Sequence, residues 1–141
     1  MIVDTSALIA ILRDEPDAEA YAMVLAAAEH PRISAANYLE TAIVIDASGD
    51  PIASRHVDHL VTRARLTIAA VTHEQALIAR AAYRDFGKGS GHPARLDFGD
   101  CFAYALAKSA DKPLLFKGDD FGRTDVVPAA TVPRQGGGDD A

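Results

Sequence analysis

The sequence has few of the residues that form disulfides, cysteine zinc sites or membrane spans. It contains one cysteine, Cys101, so neither an intrachain disulfide nor a cluster of cysteine ligands can form. It has no tryptophan, aromatic residues make up only 6%, and no apolar run is long enough to cross a bilayer. The N-terminus also lacks the basic segment that begins a secretory signal. We therefore expect a cytoplasmic protein that does not contact a membrane.

The remaining composition is typical of a folded, soluble domain. The chain has 141 residues, of which 49% are hydrophobic and 24% charged, enough for one domain with a substantial core. Its net charge of -6 argues against a general nucleic-acid coat, because phosphate binding usually uses a basic surface. It does not exclude an enzyme that gathers acids in one pocket. The five histidines show no ligand spacing, and His56 and His59 are better explained as a solvated helix face.

Short apolar segments alternate with helical patterns along the chain. Strands are predicted at residues 1–3, 32–35, 66–71 and 113–116, and a fifth is suggested at 125–127. Helices are predicted at residues 7–13, 18–29, 36–48, 51–65, 72–86 and 98–110. This alternation predicts an α/β fold with three layers around a mostly parallel sheet that is buried on both faces. The Gly-, Pro- and Asp-rich end predicts a frayed tail at 129–141, after a domain at 1–128.

Two of the acids that could carry chemistry lie in the first part of the chain. Asp4 follows the first strand, and because Thr5 or Ser6 could cap the next helix equally well, Asp4 is left available. Glu40 shares a helix face with Asn37, although a single Glu on a helix is usually just part of its solvated side. Neither position decides the function by itself.

Further acids follow in the last third of the chain. Asp97 is a helix cap by pattern, and Asp100 could be its reciprocal partner in the first turn. The rest of that helix is small and apolar, so an acid at its buried start would require a cation. Asp119 and Asp120 follow the fourth strand, where a simple turn is the competing interpretation.

Together these four acidic segments are predicted to meet at one edge of the sheet, because ligands of open α/β sheets bind beyond the carboxyl ends of the strands. Several carboxylates in close quarters cannot all stay ionised without a cation. Ligands that are all oxygen atoms indicate a hard ion, Mg²⁺ or Mn²⁺. Such a site is suited to phosphodiester hydrolysis, in which the ion activates a water molecule.

The residues also match a known family. The matching segments are residues 1–8 (MIVDTSAL), 33–41 (ISAANYLET), 96–107 (LDFGDCFAYALA) and 113–121 (PLLFKGDDF), followed by Thr124 and Asp125. In these segments the chain resembles the PIN-domain ribonucleases, and among them the VapC toxins of bacterial toxin–antitoxin pairs. The segments occur in the family's order and span most of the chain up to Val127. The resemblance implies a PIN-like fold and a metal-dependent endoribonuclease.

The resemblance also implies roles for individual residues. Asp4, Glu40 and Asp100 would hold Mg²⁺ or Mn²⁺ and orient the attacking water. Ser6, with Thr5 beside it, would support these acids by hydrogen bonding.

The fourth acid of the family's site departs from the usual pattern. Many relatives have Thr-x-Asp-x-Asp-Phe here, and the first acid of that pattern falls on Gly118. Asp119 or Asp120 would have to replace it, and we favour Asp119. Asp97 stands where close relatives often have Asn, so we expect it to be a cap and not a ligand.

The family's partners are implied in the same way. VapC toxins cleave RNA, often at one site in tRNA, rRNA or mRNA, and form homodimers or hetero-oligomers with a VapB-type antitoxin that packs a helix into a groove. Residues 18–29 and 36–48 are the predicted walls of that groove. The cations predicted to guide RNA are Arg55, Arg63, Arg65, Lys88, Arg84, Arg95 and Lys117.

Two other functions are open to the sequence. An aspartyl-phosphate phosphotransfer domain also places acids at strand ends. However, a phosphatase of that kind would have an acid where Ser6 stands, and a receiver domain would have one near Val71. A non-catalytic PIN-like binding module is the second alternative, and the presence of the first three acids argues against it.

Overall fold

A computed structural model describes residues 1–129 of the chain. The strands are β1 (Ile2–Val3), β2 (Arg32–Ser34), β3 (Thr67–Ala69) and β4 (Leu114–Leu115). The helices are α1 (Thr5–Leu12), α2 (Ala18–Ala27), α3 (Ala35–Asp46), α4 (Pro51–Arg63), α5 (His73–Phe86) and α6 (Phe98–Ala110), followed by a short 3₁₀ helix (Phe121–Arg123). The six helices and the four strands lie where the sequence predicts six helices and the first four of its five strands.

The four strands form one parallel sheet in the order β3-β2-β1-β4. The chain builds the sheet outwards from β1 through β2 to β3, and then returns to place β4 on the other side of β1. The strand order therefore reverses between β1 and β4. In open α/β sheets the crevice at such a reversal is where ligands bind, beyond the carboxyl ends of the strands.

Adjacent strand residues face opposite sides of the sheet, and each side has its own core. Ile2 and Leu114 are buried in a cluster with residues of α5 and α6. Val3 and Leu115, one position further along, are buried in a second cluster with residues of α1 and α2. This alternation follows from the two-residue period of a strand. The result is a three-layer α/β/α domain.

Side-chain caps set where most helices begin. The Gln75 backbone N–H donates to Thr72 Oγ1 (3.1 Å), which starts α5 at the position its capping spacing predicts. Pro51 is the first residue of α4, and Asp50 caps it. Asp17 occupies the N-cap position of α2, where an aspartate cap is expected from the sequence, but its side chain makes no capping hydrogen bond there.

The structure corrects two predictions about the strands. The third strand is shorter than predicted and lies at the sheet's edge, where Ile68 is exposed, so the sheet is not buried on both faces along its whole width. Residues 125–127 form no strand; Leu114 instead makes an isolated bridge to Pro128, and the Ala129 N–H donates to the Leu114 carbonyl (2.9 Å). Apart from Ala129, the predicted tail lies outside the described residues.

Candidate active site

The structure places Asp4, Glu40 and Asp100 as neighbours at the carboxyl edge of the sheet, near the reversal of strand order. Asp4 lies between β1 and α1, Glu40 in the second turn of α3, and Asp100 in the first turn of α6. Asp4 is close enough to Glu40 and to Asp100 for their charges to interact. The three elements that carry these acids pack against each other, α3 touching both α1 and α6.

Asp4 is the most buried of these acids, with 2% of its surface exposed. Its Oδ2 accepts hydrogen bonds from the Ser6 backbone N–H (3.0 Å) and from Ser6 Oγ (2.6 Å). Asp4 is therefore itself the cap of α1, and the prediction that Thr5 or Ser6 takes that role is wrong. Its other oxygen, Oδ1, is buried and accepts no hydrogen bond within residues 1–129. The capping interaction thus uses half of the carboxylate and leaves the other half for a ligand.

Ser6 joins the ends of the two strands that flank the reversal. Its hydroxyl donates to Asp4, after β1, and accepts from the backbone N–H of Lys117, after β4 (2.9 Å). Because the Lys117 N–H occupies an acceptor position of that oxygen, the hydroxyl proton is directed towards Asp4. This arrangement matches the supporting role expected of Ser6. Thr5 makes a different contact, donating to the Asn37 carbonyl (3.2 Å).

Asp97 and Asp100 form a reciprocal capping pair at the start of α6. The Asp100 N–H donates to Asp97 Oδ1 (2.9 Å), and the Asp97 N–H donates to Asp100 Oδ2 (3.0 Å). The expectation that Asp97 is a cap is confirmed. Asp100 is half-buried, and these bonds engage only one of its two carboxylate oxygens.

Glu40 lies directly against the first turn of α6. A Cβ atom at Gly99 would overlap Glu40 Oε2, so the carboxylate occupies the space that a side chain at position 99 would fill. Asn37 Nδ2 donates to the Gly99 carbonyl (2.9 Å) and lies 3.4 Å from Glu40 Oε1. Sequence reasoning noted that Asn37 shares a face with Glu40 but did not include it in the site. Its position three residues before Glu40 was the available signal.

Burial and mutual repulsion oppose the ionisation of these acids. Burial raises the pKa of Asp4 to about 6; the hydrogen bonds from Ser6 lower it, while Glu40 and Asp97 raise it. Burial also raises the pKa of Asp100 to about 8; the hydrogen bond from the Asp97 N–H lowers it, while Asp4 and Asp97 raise it. A bound cation would lower both pKa values and favour the ionised carboxylates at neutral pH.

The candidates for the fourth acid, Asp119 and Asp120, lie in the exposed turn after β4. Gly118 precedes them with φ of 101°, a backbone conformation that favours glycine over the acid found in many relatives. Asp120 leads into the 3₁₀ helix without a side-chain capping bond. The geometry favours neither residue, and the assignment to Asp119 stays a prediction.

Two of the cations predicted to guide RNA form ion pairs with neighbouring carboxylates. Lys117 Nζ contacts Glu15 Oε1 (2.9 Å) and the buried Asp17 Oδ1 (3.0 Å), which ties the segment between α1 and α2 to the end of β4. Lys117 is therefore a structural ion-pair partner, and we withdraw it from the RNA-guiding set. Arg84 forms an exposed pair with Asp85 (3.0 Å), a kind of contact that solvent weakens.

A groove of about 550 Å³ runs between α1, α2 and α4. Its floor is apolar and includes Leu12, Leu25 and Leu60, while His59 and Arg63 belong to its α4 side. The predicted groove walls were residues 18–29 and 36–48. This cavity shares α2 with the first of those segments, and its other side is α4 instead of the second segment, so the predicted walls of an antitoxin groove stay a prediction.

The donor set suits a hydrated hard cation better than a closed metal cage. Among the His, Cys, Asp and Glu side chains of residues 1–129, no three converge closely enough to hold an ion together. Mg²⁺ is usually held by one or two protein carboxylates and keeps several waters, so it does not require such a cage. The unpartnered Asp4 Oδ1 is the atom best placed to meet it.

Comparison with known proteins agrees with this architecture. A sequence model of the PIN domain matches residues 1–127. The chain therefore belongs to the PIN-domain family.

Its relatives within that family are VapC ribonucleases. The chain is 60% identical to Ribonuclease VapC28 of Mycobacterium tuberculosis over 129 residues, which are 92% of this chain and 97% of the relative. It is 49% identical to Ribonuclease VapC30 of the same organism, with 92% and 98% of the two chains covered. These relatives and the family support a PIN-domain toxin endoribonuclease.

Solved structures support the fold at greater evolutionary distance. Mycobacterium tuberculosis VapC20, described as a Sarcin-Ricin loop cleaving toxin, superposes with a TM-score of 0.71 at 16% identity, covering 89% of this chain and 95% of that one. A toxin–antitoxin complex from Klebsiella pneumoniae gives a TM-score of 0.67 at 16% identity, covering 92% and 97%. Within residues 1–129 no helix has the length and apolar character to cross a membrane.

Proposed function

We propose that this chain is a cytoplasmic toxin of a type II toxin–antitoxin system, an endoribonuclease that hydrolyses RNA phosphodiester bonds with Mg²⁺ or Mn²⁺. The observation that carries the proposal is the buried, unpartnered Asp4 Oδ1 beside the half-buried Asp100, in a fold shared with VapC ribonucleases. Phosphodiester hydrolysis is the chemistry that such an oxygen-ligand site supports best.

Asp4, Asp100 and Glu40, with Asp119 as the fourth acid, would bind the hydrated ion, one or two of them directly and the others through its waters. When bound, the ion lowers the pKa of a water molecule and neutralises charge on the phosphate. Ser6 keeps Asp4 oriented through Oδ2, so that Oδ1 faces the site. The N–H of Asp97 holds one Asp100 oxygen in place and leaves the other for the ligand.

The substrate class is RNA, and the cleavage site would lie in tRNA, rRNA or mRNA. Two observations support this class: the relatives are named ribonucleases, and VapC20 is named for cleavage of the Sarcin-Ricin loop. The exposed cations Arg55, Arg65, Arg84, Arg95 and Lys88, with Arg63 beside the groove, would provide the contacts to phosphate.

Metal removal tests the chemistry. Purified protein should cleave total cellular RNA in the presence of Mg²⁺ or Mn²⁺, and a chelator should abolish cleavage. Without RNA, saturating Mn²⁺ should raise the melting temperature by roughly 5–10 °C, because an ion that binds only the folded state stabilises it. Differential scanning calorimetry measures the shift. A non-catalytic PIN-like module would instead show neither chelator-sensitive cleavage nor stabilisation by Mn²⁺, and that pair of results would overturn the proposal.

The inhibitor would be a VapB-type antitoxin whose amphipathic helix packs into the groove between α1, α2 and α4. The apolar floor of that groove supports a helical partner of this kind. The product of the adjacent gene, added in equimolar amount, should suppress RNA cleavage. It should also co-elute with the toxin in size-exclusion chromatography, bound either to a single toxin chain or to a toxin homodimer. Undiminished cleavage with every neighbouring gene product would contradict this assignment.

A further inference from the structure

Asn37 is a buried polar residue at the centre of the acidic site. Its side chain has 0% of its surface exposed, and its Oδ1 accepts no hydrogen bond within residues 1–129. Buried polar atoms in folded proteins are nearly always hydrogen-bonded, so an exception calls for an explanation. Asp4 Oδ1 is the only other side-chain atom of the described region in this condition.

The orientation of the Asn37 amide follows from its neighbours. Nδ2 donates to the Gly99 carbonyl oxygen at 2.9 Å and lies 3.4 Å from Glu40 Oε1. Rotating the amide by 180° would place Oδ1 against these two acceptors, which is unfavourable, so the assignment of the two amide atoms is secure. Because Oδ1 and Nδ2 belong to one small planar group, Oδ1 also lies near Glu40 and the first turn of α6.

Asn37 also joins the three segments that carry the acids. Its backbone carbonyl accepts from Thr5 Oγ1, next to Asp4 (3.2 Å). Its amide reaches Gly99, next to Asp100, and Glu40 within its own helix. A residue whose purpose was only to fill the core would not need contacts to all three segments.

We infer that Asn37 is a positioning residue of the nuclease site: Nδ2 holds the Glu40 carboxylate against α6, and Oδ1 accepts a hydrogen bond from a metal-bound water. The two buried acceptors then have complementary roles. Asp4 Oδ1 would bind the ion, and Asn37 Oδ1 would orient a water molecule bound to it. This inference deepens the proposed metal-dependent function and rests on it.

The test compares Asn37→Ala with Thr41→Val. Thr41 is an equally buried residue one turn further along α3, and its hydroxyl donates to the backbone carbonyl of Asn37 (2.8 Å) and not to a carboxylate. Calorimetric titration of the RNA-free protein with Mn²⁺ should give about a tenfold weaker affinity for Asn37→Ala, since partners that orient metal ligands affect affinity to this extent. Thr41→Val should bind Mn²⁺ as the wild type does. In RNA cleavage, Asn37→Ala should lower kcat and leave KM unchanged.

The possible outcomes distinguish a failure of the role of Asn37 from a failure of the proposed function. If the wild type binds Mn²⁺ and Asn37→Ala binds it equally well, the role of Asn37 is disproved while the proposed function stands. Equal losses in Asn37→Ala and Thr41→Val would reduce Asn37 to a packing residue and also overturn the inference. If the wild type binds no Mn²⁺ and also shows no chelator-sensitive RNA cleavage, the proposed function itself fails. If Asn37→Ala does not fold, Asn37→Ser is the alternative, because it keeps a hydroxyl and leaves a smaller cavity. Its Mn²⁺ affinity should also be lower than that of the wild type, but by less than tenfold.

Discussion

Replacing Asp100 by Asn is expected to lower RNA cleavage by roughly a hundredfold or more, because one fewer charged oxygen would face the reacting phosphate and its ion. The fold should survive, since the amide oxygen of Asn can still accept the hydrogen bond from the Asp97 N–H. Cleavage of the identified RNA target, measured as single-turnover rate, gives the size of the effect. The matched control is Asp111→Asn, which makes the same change at the other end of α6, where Asp111 ends the helix with φ of 52°. Asn tolerates that conformation, so this variant should cleave RNA normally.

The same substitution should stabilise the metal-free protein. The pKa of Asp100 is raised from 3.8 to about 8 in the folded chain, so between these pH values the folded state holds a proton that the unfolded state has released. The free energy of unfolding of the wild type therefore falls as the pH rises from about 4 to about 8. The amide that replaces the carboxyl group in the variant cannot ionise, and the pH dependence should flatten.

At pH 7 the Asp100→Asn variant should be more stable than the wild type by about 2 kcal/mol, less than the full pKa difference implies, because a partly exposed carboxyl keeps some hydration. Urea unfolding of metal-free protein at several pH values measures this. A wild type whose free energy of unfolding does not change between about pH 4 and about pH 8 would contradict the raised pKa of Asp100. Full RNA cleavage by Asp100→Asn would contradict its part in the chemistry.

Gly99→Ala should separate activity from stability even more sharply. A Cβ atom at position 99 would overlap Glu40 Oε2, so the Glu40 carboxylate must move away from α6. Displacing a catalytic group by about 1 Å can cost on the order of a hundredfold in rate, and we expect a loss of that size. The clash falls on the end of a flexible side chain, and alanine favours a helix over glycine by about 1 kcal/mol. The melting temperature should therefore change little.

The control for this variant is Gly122→Ala. Gly122 lies in the 3₁₀ helix after β4, and a Cβ atom there would meet nothing within 4 Å. Cleavage rate and melting temperature should both match the wild type. If Gly99→Ala cleaves RNA at the wild-type rate, the position of Glu40 against α6 has no catalytic importance.

Local patterns in the sequence were sufficient for the elements and for the general location of the acids. The apolar character of β1 and of α6 is a property of short segments, so it is readable without the fold. The capping spacing of Asp97 and Asp100 is local in the same way, and it forms as predicted. These segments place Asp4 and Asp100 at element ends, and parallel strands deliver such ends to one edge.

Contacts between distant segments were not readable in this way. The pairing of Lys117 with Glu15 and Asp17 joins positions about a hundred residues apart, and nothing near Lys117 in the sequence indicates it. The α4 wall of the groove likewise depends on how helices pack across one face of the sheet. The exposure of β3 follows from its place at the sheet's edge, which its apolar sequence does not reveal.

Asp4, Glu40 and Asp100 show most clearly which features the sequence determines and which depend on the tertiary structure. The sequence alone placed Asp4 and Asp100 at element ends and Glu40 inside a helix, because the bounds of strands and helices are marked by local composition. Only the tertiary structure decided how each carboxylate is used: half of Asp4 caps a helix, half of Asp100 completes a capping pair, and Glu40 fills the space over Gly99. It also added Asn37, whose polar side chain is explained only by neighbours from three separate segments. Burial and hydrogen-bond partners are set by the packing of the whole chain, and for that reason no local pattern could supply them.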